Sequence, residues 1–248
     1  MDYINDIKQS PMIGLTGTTG GVGGLAFRSV ATKTYVNDVF STYLYTGTAS
    51  ARSINNGIDL AGKGGMTWIK DRSTAYNHVL QDTVRGAGAT TKLSSNLTAT
   101  QGGGENAYQW SGYISAFSNT GFSLDKTGTG SVDWANVNKN GDDYAAWSFR
   151  EQKGFFDMVQ YNGTGSDQNI SHNLGSKPGF VIVKCTSHTG NWSCSHRSIP
   201  DKYILLNSTN KAENNGATRS ITDSTYQIFG SWADEGASGK TYMMYLFA

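Results

Sequence analysis

Charge, proline, cysteine and long apolar runs are all scarce in this 248-residue chain, and each scarcity closes off a class of function. Twenty Lys and Arg against nineteen Asp and Glu leave a formal charge of +1, with no basic run to gather nucleic acid or an anionic membrane. Nucleic acid is therefore not an expected partner. No apolar stretch approaches the roughly 20 residues that a spanning helix needs. The opening MDYINDIKQS lacks the basic and apolar regions of a signal peptide. The expectation is a soluble protein made in a cytoplasm, with no membrane insertion. Two cysteines do not make a disulfide framework, and only four glutamates are present.

What the chain has instead is glycine, 31 residues of it, with thirteen Tyr, ten Phe and six Trp. That many aromatics can bury a core, which a disordered low-complexity chain cannot do. Short segments rich in aromatic and β-branched residues recur between glycine-rich turns. In the first half these are TYLYT, MTWIK, HVLQDTV, GYISAF and YAAWSF. In the second they are DMVQYNG, FVIVKCT, NWSCSH, KYILLN, YQIFGSW and YMMYLF. The spacing predicts an all-β protein of sandwich or jelly-roll type. Helix is expected only in DYINDI and TTKLSSN.

The chain also repeats itself. FSTYLYTGTASARSI from residue 40 returns as FDMVQYNGTGSDQNI from residue 156, an offset of 116. LAGKGGMTWIK from residue 60 returns as LGSKPGFVIVK from residue 174, an offset of 114 that also relates Asn77 to Asn191. LSSN near residue 93 matches LLNS near 205, and GDDYAAWSFR at 141–150 matches GKTYMMYLFA at 239–248. Offsets that change only between blocks mean that strands are kept while loops vary. The expected organisation is a glycine-rich, extended N-terminal arm at 1–34, one β-sandwich repeat at 35–150 and a second at 154–248. REQKG forms the join, too short to let the two repeats separate. Similar aromatic patterns in the first and last strand of each repeat predict that these strands are neighbours. On that reading Tyr43 and Tyr45 share a face with Trp147 and Phe149.

With YTGT and YNGTGS, NLGSKPGFVIVK, GNWSCSHR, KYILLNST and the final YMMYLF, residues 40 to 248 resemble a β-rich domain, often duplicated, of tailed-bacteriophage virion and tail-fibre-like proteins, notably cyanophages and other marine phages. The resemblance implies a virion structural protein, a tail-fibre or other appendage subunit assembled in the host cytoplasm. It would bind other virion proteins, form a homo-oligomer such as a trimer, and meet a host surface glycan or protein. It supplies no catalytic residues. The alternatives are a head, neck or decoration protein that binds only virion subunits, and a surface-glycan hydrolase.

The arm GLTGTTGGVGGLAF has no lysine after Gly23 or Gly24 to complete a phosphate loop, and no strand precedes it. No cofactor is expected. The arm either stays disordered or orders against neighbouring virion subunits through Tyr3, Ile4, Ile7, Met12, Ile13, Leu15 and Phe27. KCTSHTGNWSCSHR gathers Cys185, His188, Cys194 and His196. A two-residue turn at Thr189-Gly190 would place Cys185 opposite Cys194, within disulfide reach. Free thiols are the first reading, ahead of a disulfide. Zinc fits worst, because C-x2-H-x5-C-x-H is not a standard spacing. The glutamates and the Asp pairs lie in turn-like contexts rather than as an evident pair across a cleft, so no enzyme is expected. Trp68 and Trp147 read as core. Trp110, Trp134, Trp192 and Trp232 lie nearer loops and, with His78, are the candidate host- or partner-binding residues. The equivalent hairpin ends Asn77-His78 and Asn191-Trp192 are where a binding surface is first expected.

Overall fold

A computed structural model describes residues 33–103, 112–125 and 137–248. Residues 1–32 of the arm with its seven named contact residues, together with Trp110 and Trp134, lie outside them. The strands of the first half are β1 (Phe40–Thr46), β2 (Arg52–Asn55), β3 (Gly65–Asp71), β4 (Val79–Asp82), β5 (Ile114–Ser118), β6 (Gly121–Leu124) and β7 (Asp143–Arg150). Those of the second are β8 (Phe156–Asn162), β9 (Gln168–Ser171), β10 (Phe180–Cys185), β11 (Trp192–His196), β12 (Lys202–Leu205), β13 (Glu213–Asn214), β14 (Thr225–Ile228) and β15 (Thr241–Phe247). The chain is nearly all β. The two α-helices among the described residues are single turns, α1 (Val36–Val39) and α2 (Leu60–Lys63). Neither lies in an expected helix, and TTKLSSN contributes only a 3-10 turn at Ala89–Thr91.

Two large antiparallel sheets carry the fold, in the orders β1-β7-β3-β4 and β13-β12-β11-β10-β15-β8. Each is covered on one face by a small sheet, β2-β6-β5 in the first half and β14-β9 in the second. Because side chains alternate across a strand, each large sheet feeds two cores. On β15, Tyr242, Met244 and Leu246 enter the core beneath β14-β9. Met243 and Tyr245 point the other way, into a core shared with Met66, Leu80 and Leu93 of the first half. Phe149, Phe155, Phe156 and Phe247 close one side of that shared core, with Phe149 and Phe247 edge to face at 5.5 Å. The two sandwiches are thus packed through their large sheets. Re-exposing each of its buried Met, Leu, Ile and Phe side chains would cost roughly 1.5–3 kcal/mol, so losing the shared core would cost on the order of the 5–15 kcal/mol by which a domain is typically stable.

The pairing registers repeat with the sequence offsets. Tyr45 faces Tyr144 on β1-β7, and Tyr161 faces Tyr242 on β8-β15. These are the same pair shifted by 116 and 98. The rings stack at 5.1 and 5.3 Å, with interplanar angles of 14° and 15°. Tyr45 Oη donates to the Val137 carbonyl at 2.6 Å, and Tyr161 Oη donates to that of Glu235 at 2.7 Å. The Lys139 and Ala237 N–H groups each donate to the second tyrosine of their pair, at 2.9 Å. A glycine lets the turn approach in both copies: a Cβ at Gly47 would meet the Lys139 carbonyl oxygen at 2.0 Å, and at Gly163 that of Ala237 at 2.3 Å. First and last strands are neighbours, as expected, but the shared face is the other one. Thr42 opposes Trp147, so Tyr43 and Tyr45 pack with Tyr144 and Ala146, while Phe149 belongs to the shared core.

The cysteine hairpin departs from the expected two-residue turn but keeps its thiols free, as first read. Ile182 opposes Cys194 and Lys184 opposes Trp192, so Cys185 and Cys194 lie on opposite faces of the sheet as free, buried thiols. The loop is longer than two residues because tertiary contacts hold it: Gly190 N donates to the Thr98 carbonyl, and Lys184 Nζ to the carbonyls of Thr98 and Gly190. Among the described residues no cluster of His, Cys, Asp and Glu could hold a metal, and no helix is long and apolar enough to cross a membrane.

Candidate functional site

Among the described residues the two halves meet at an open groove of about 610 Å³. Trp68, His78, Ser95 and Asn96 line it from the first half, and Leu206, Asn207, Ser208 and Thr209 from the second. Volumes of 300–1,000 Å³ are usual for small-ligand sites.

Its position follows from the duplication. In the first half, the Leu80–Leu93 bridge stands where Cys194 pairs with Ile204 in the second, so residues 93–96 correspond to 204–207 at an offset of 111. His78 N–H donates to Asn96 Oδ1 at 3.1 Å, and Asn96 Nδ2 donates to Asn77 Oδ1 at 2.6 Å. The second half repeats both bonds. Trp192 N–H donates to Asn207 Oδ1 at 2.9 Å, and Asn207 Nδ2 donates to Asn191 Oδ1 at 3.0 Å. Each asparagine clamps a hairpin end, and both clamps face the groove.

At the clamped hairpin end the copies differ in having His78 or Trp192, and the groove lies beside His78. Trp192 is fully buried against the first half, its indole N–H donating to the carbonyls of Ser94 and Leu97 at 3.0 and 3.1 Å. The equivalent position in the first half is His78, beside Leu206 to Thr209, and an imidazole fills less space than an indole. Trp68 Nε1–H donates to His78 Nδ1 at 2.8 Å, which places the ring proton on Nε2 as a donor. Burial, reinforced by the Lys70 charge, lowers the proton affinity of His78 and favours the neutral ring.

Of the sequence-predicted contact residues that the structure describes, His78 alone lines the groove. Trp192 is corrected: with no exposed surface and its N–H spent inside the chain, it cannot meet an outside partner. Trp232 is half-buried against Tyr203 and Phe229, with ring centroids at 4.6 and 5.8 Å, and is not among the lining residues. Sequence reading missed Asn96, Asn207 and the half-buried Trp68, which it assigned to the core. The signal was the match of LSSN to LLNS, one residue out of register with the structural offset, beside the duplicated Asn77 and Asn191.

Two other polar constellations are structural. Glu235, buried, accepts both arms of the Arg219 guanidinium at 2.9 and 3.0 Å and the Ser193 hydroxyl at 2.7 Å, while Arg219 lies over the Tyr226 and Phe229 rings. At the join, Glu151 accepts the Met158 N–H at 3.3 Å. Burial and the adjacent Asp157 push its carboxyl up to about 7. Nearby, Asp82 pairs with Arg85 at 2.6 Å and accepts the Tyr245 hydroxyl at 2.7 Å, tying the halves together.

No curated protein and no solved structure matches this chain. A family model described as a domain of unknown function, DUF7483, matches residues 36–248, which takes in both sandwiches and every residue of the groove. The chain belongs to that family.

Proposed function

We propose that this protein is a bacteriophage virion structural protein, a subunit of a tail fibre or other appendage that meets the host surface. In this reading residues 1–34 attach it to the particle beside other virion proteins, and copies of the chain assemble as a homo-oligomer, which multiplies weak single contacts into useful avidity. The phage-like sequence blocks support the reading, and the observation that carries it is the open groove between the repeats. Among the described residues its lining contains no carboxylate, and its imidazole already accepts a bond at Nδ1. Such a lining suits binding better than hydrolysis, which needs two carboxyl groups across the scissile bond.

Gold-labelled antibodies raised against the purified protein and applied to intact phage particles test this. Label along a fibre or other appendage is expected. Label confined to head or neck, or its absence from particles, overturns it.

A further inference from the structure

We propose that the groove is a binding site for an uncharged saccharide, presented by His78, Asn96, Asn207 and Trp68. The proposal rests on the host-surface reading and names the ligand class of that contact.

Among the described residues no lining side chain carries a formal charge with His78 neutral, and the nearby Lys70 ammonium, which lies outside the lining, is held by the Asp71 and Thr74 carbonyls, so no charge in the lining offsets the desolvation of an acidic or basic ligand. The lining is nonetheless rich in directed hydrogen-bonding groups. A primary amide has two N–H donors and two acceptor lone pairs. Asn96 spends one donor on Asn77 and one lone pair on His78 N–H, and Asn207 spends the same pair on Asn191 and Trp192 N–H. Each therefore keeps one donor and one acceptor, on an amide whose orientation is already fixed. Fixed groups bind with less entropy to lose.

Adjacent hydroxyls of a sugar, each both donor and acceptor, match an amide that offers one of each. His78 Nε2–H adds a donor, and the exposed Ser208 and Thr209 add hydroxyls at the rim. Trp68 supplies an aromatic surface for the C–H face of a sugar ring, and Leu206 adds apolar surface on the far wall. The duplication thus produces two amide clamps, and the Trp-to-His difference leaves space between them.

That difference supplies the test. His78→Trp places in the first half the residue that the second half already carries at the equivalent hairpin end, and fills the groove. Ser208→Arg, at an exposed position, obstructs it independently if the first variant fails to fold. An array of immobilised neutral and acidic glycans is probed with the wild-type chain and both variants. The wild type is expected to bind at least one neutral glycan. Each folded variant should lose at least about tenfold in signal, and uronate- or sulfate-bearing analogues of the same glycan should bind more weakly. Binding to no neutral glycan, wild-type signal in a folded variant, or stronger binding to the acidic analogue overturns the proposal. Particle labelling is scored separately. An appendage protein that binds no neutral glycan refutes the site alone, and a glycan binder missing from particles refutes the virion reading alone.

Discussion

Replacing Glu235 by valine should destabilise the protein by about 3–5 kcal/mol, the usual cost of leaving one member of a buried ion pair without its partner. The geometry argues for the full range. Glu235 and the Arg219 side chain are almost completely enclosed, and the carboxylate receives both guanidinium arms and the Ser193 hydroxyl. Arg219 Nε has no partner to begin with, so the stranded guanidinium would retain only the Gln227 carbonyl and two aromatic faces. The first repeat does without such a pair: Val79 and Val137 occupy the positions equivalent to Ser193 and Glu235, and both are buried in its core. The combined Ser193→Val, Arg219→Leu, Glu235→Val variant should therefore recover most of the loss, because exchanging a whole buried pair for apolar packing is often neutral or better. Urea unfolding at constant m-value measures both differences. A cost below about 1 kcal/mol for the single variant would refute the reasoning. So would a triple variant no more stable than the single.

Glu151 predicts a pH dependence. A carboxyl raised from its ordinary 4.5 to about 7 in the folded state binds more protons there than in the unfolded chain. Its contribution is therefore complete below about pH 4.5 and is lost as pH rises through about 7. Glu151→Gln should flatten the decline of Tm between pH 5 and 8, and an unchanged slope would assign it to other groups. The thiols predict a reactivity pattern. Cys185 and Cys194 are both buried, and burial pushes the Cys194 thiol up to about 12. A thiol-specific reagent should leave both unmodified in the native protein and react with both in denaturant, and mild oxidant should produce no intramolecular disulfide. Native modification within minutes would contradict that placement.

Strand existence was legible because burial forces a pattern on the sequence. The aromatic pairs of β7 and β15 declare their period, and loops of changing length leave the 116, 114 and 98 offsets intact. Faces were less legible. The choice between Tyr144 and Trp147 as the partner of Tyr45 depends on register, and a one-residue slip exchanges the two faces of a strand. The cysteine hairpin misled for a related reason. Thr189-Gly190 has turn chemistry, yet Asp234 accepts the Asn191 backbone and side-chain N–H at 2.7 and 3.1 Å and holds a wider loop. The constant offset between Asn77 and Asn191 carried the correction, since the first copy of that loop, DRSTAYNH, is too long for a two-residue turn. The groove was half legible. Its hairpin ends followed from the repeat, but Trp68 reads as core because half of it is. The amide clamps depend on residues about 16 to 19 positions apart in sequence.

Calorimetric unfolding of the full chain bears most directly on the claim that two copies of one sandwich are fused through a shared core. That core predicts a single cooperative transition spanning both repeats, with van't Hoff and calorimetric enthalpies in agreement. Two resolved transitions, each with the enthalpy of roughly half the folded chain, would contradict it.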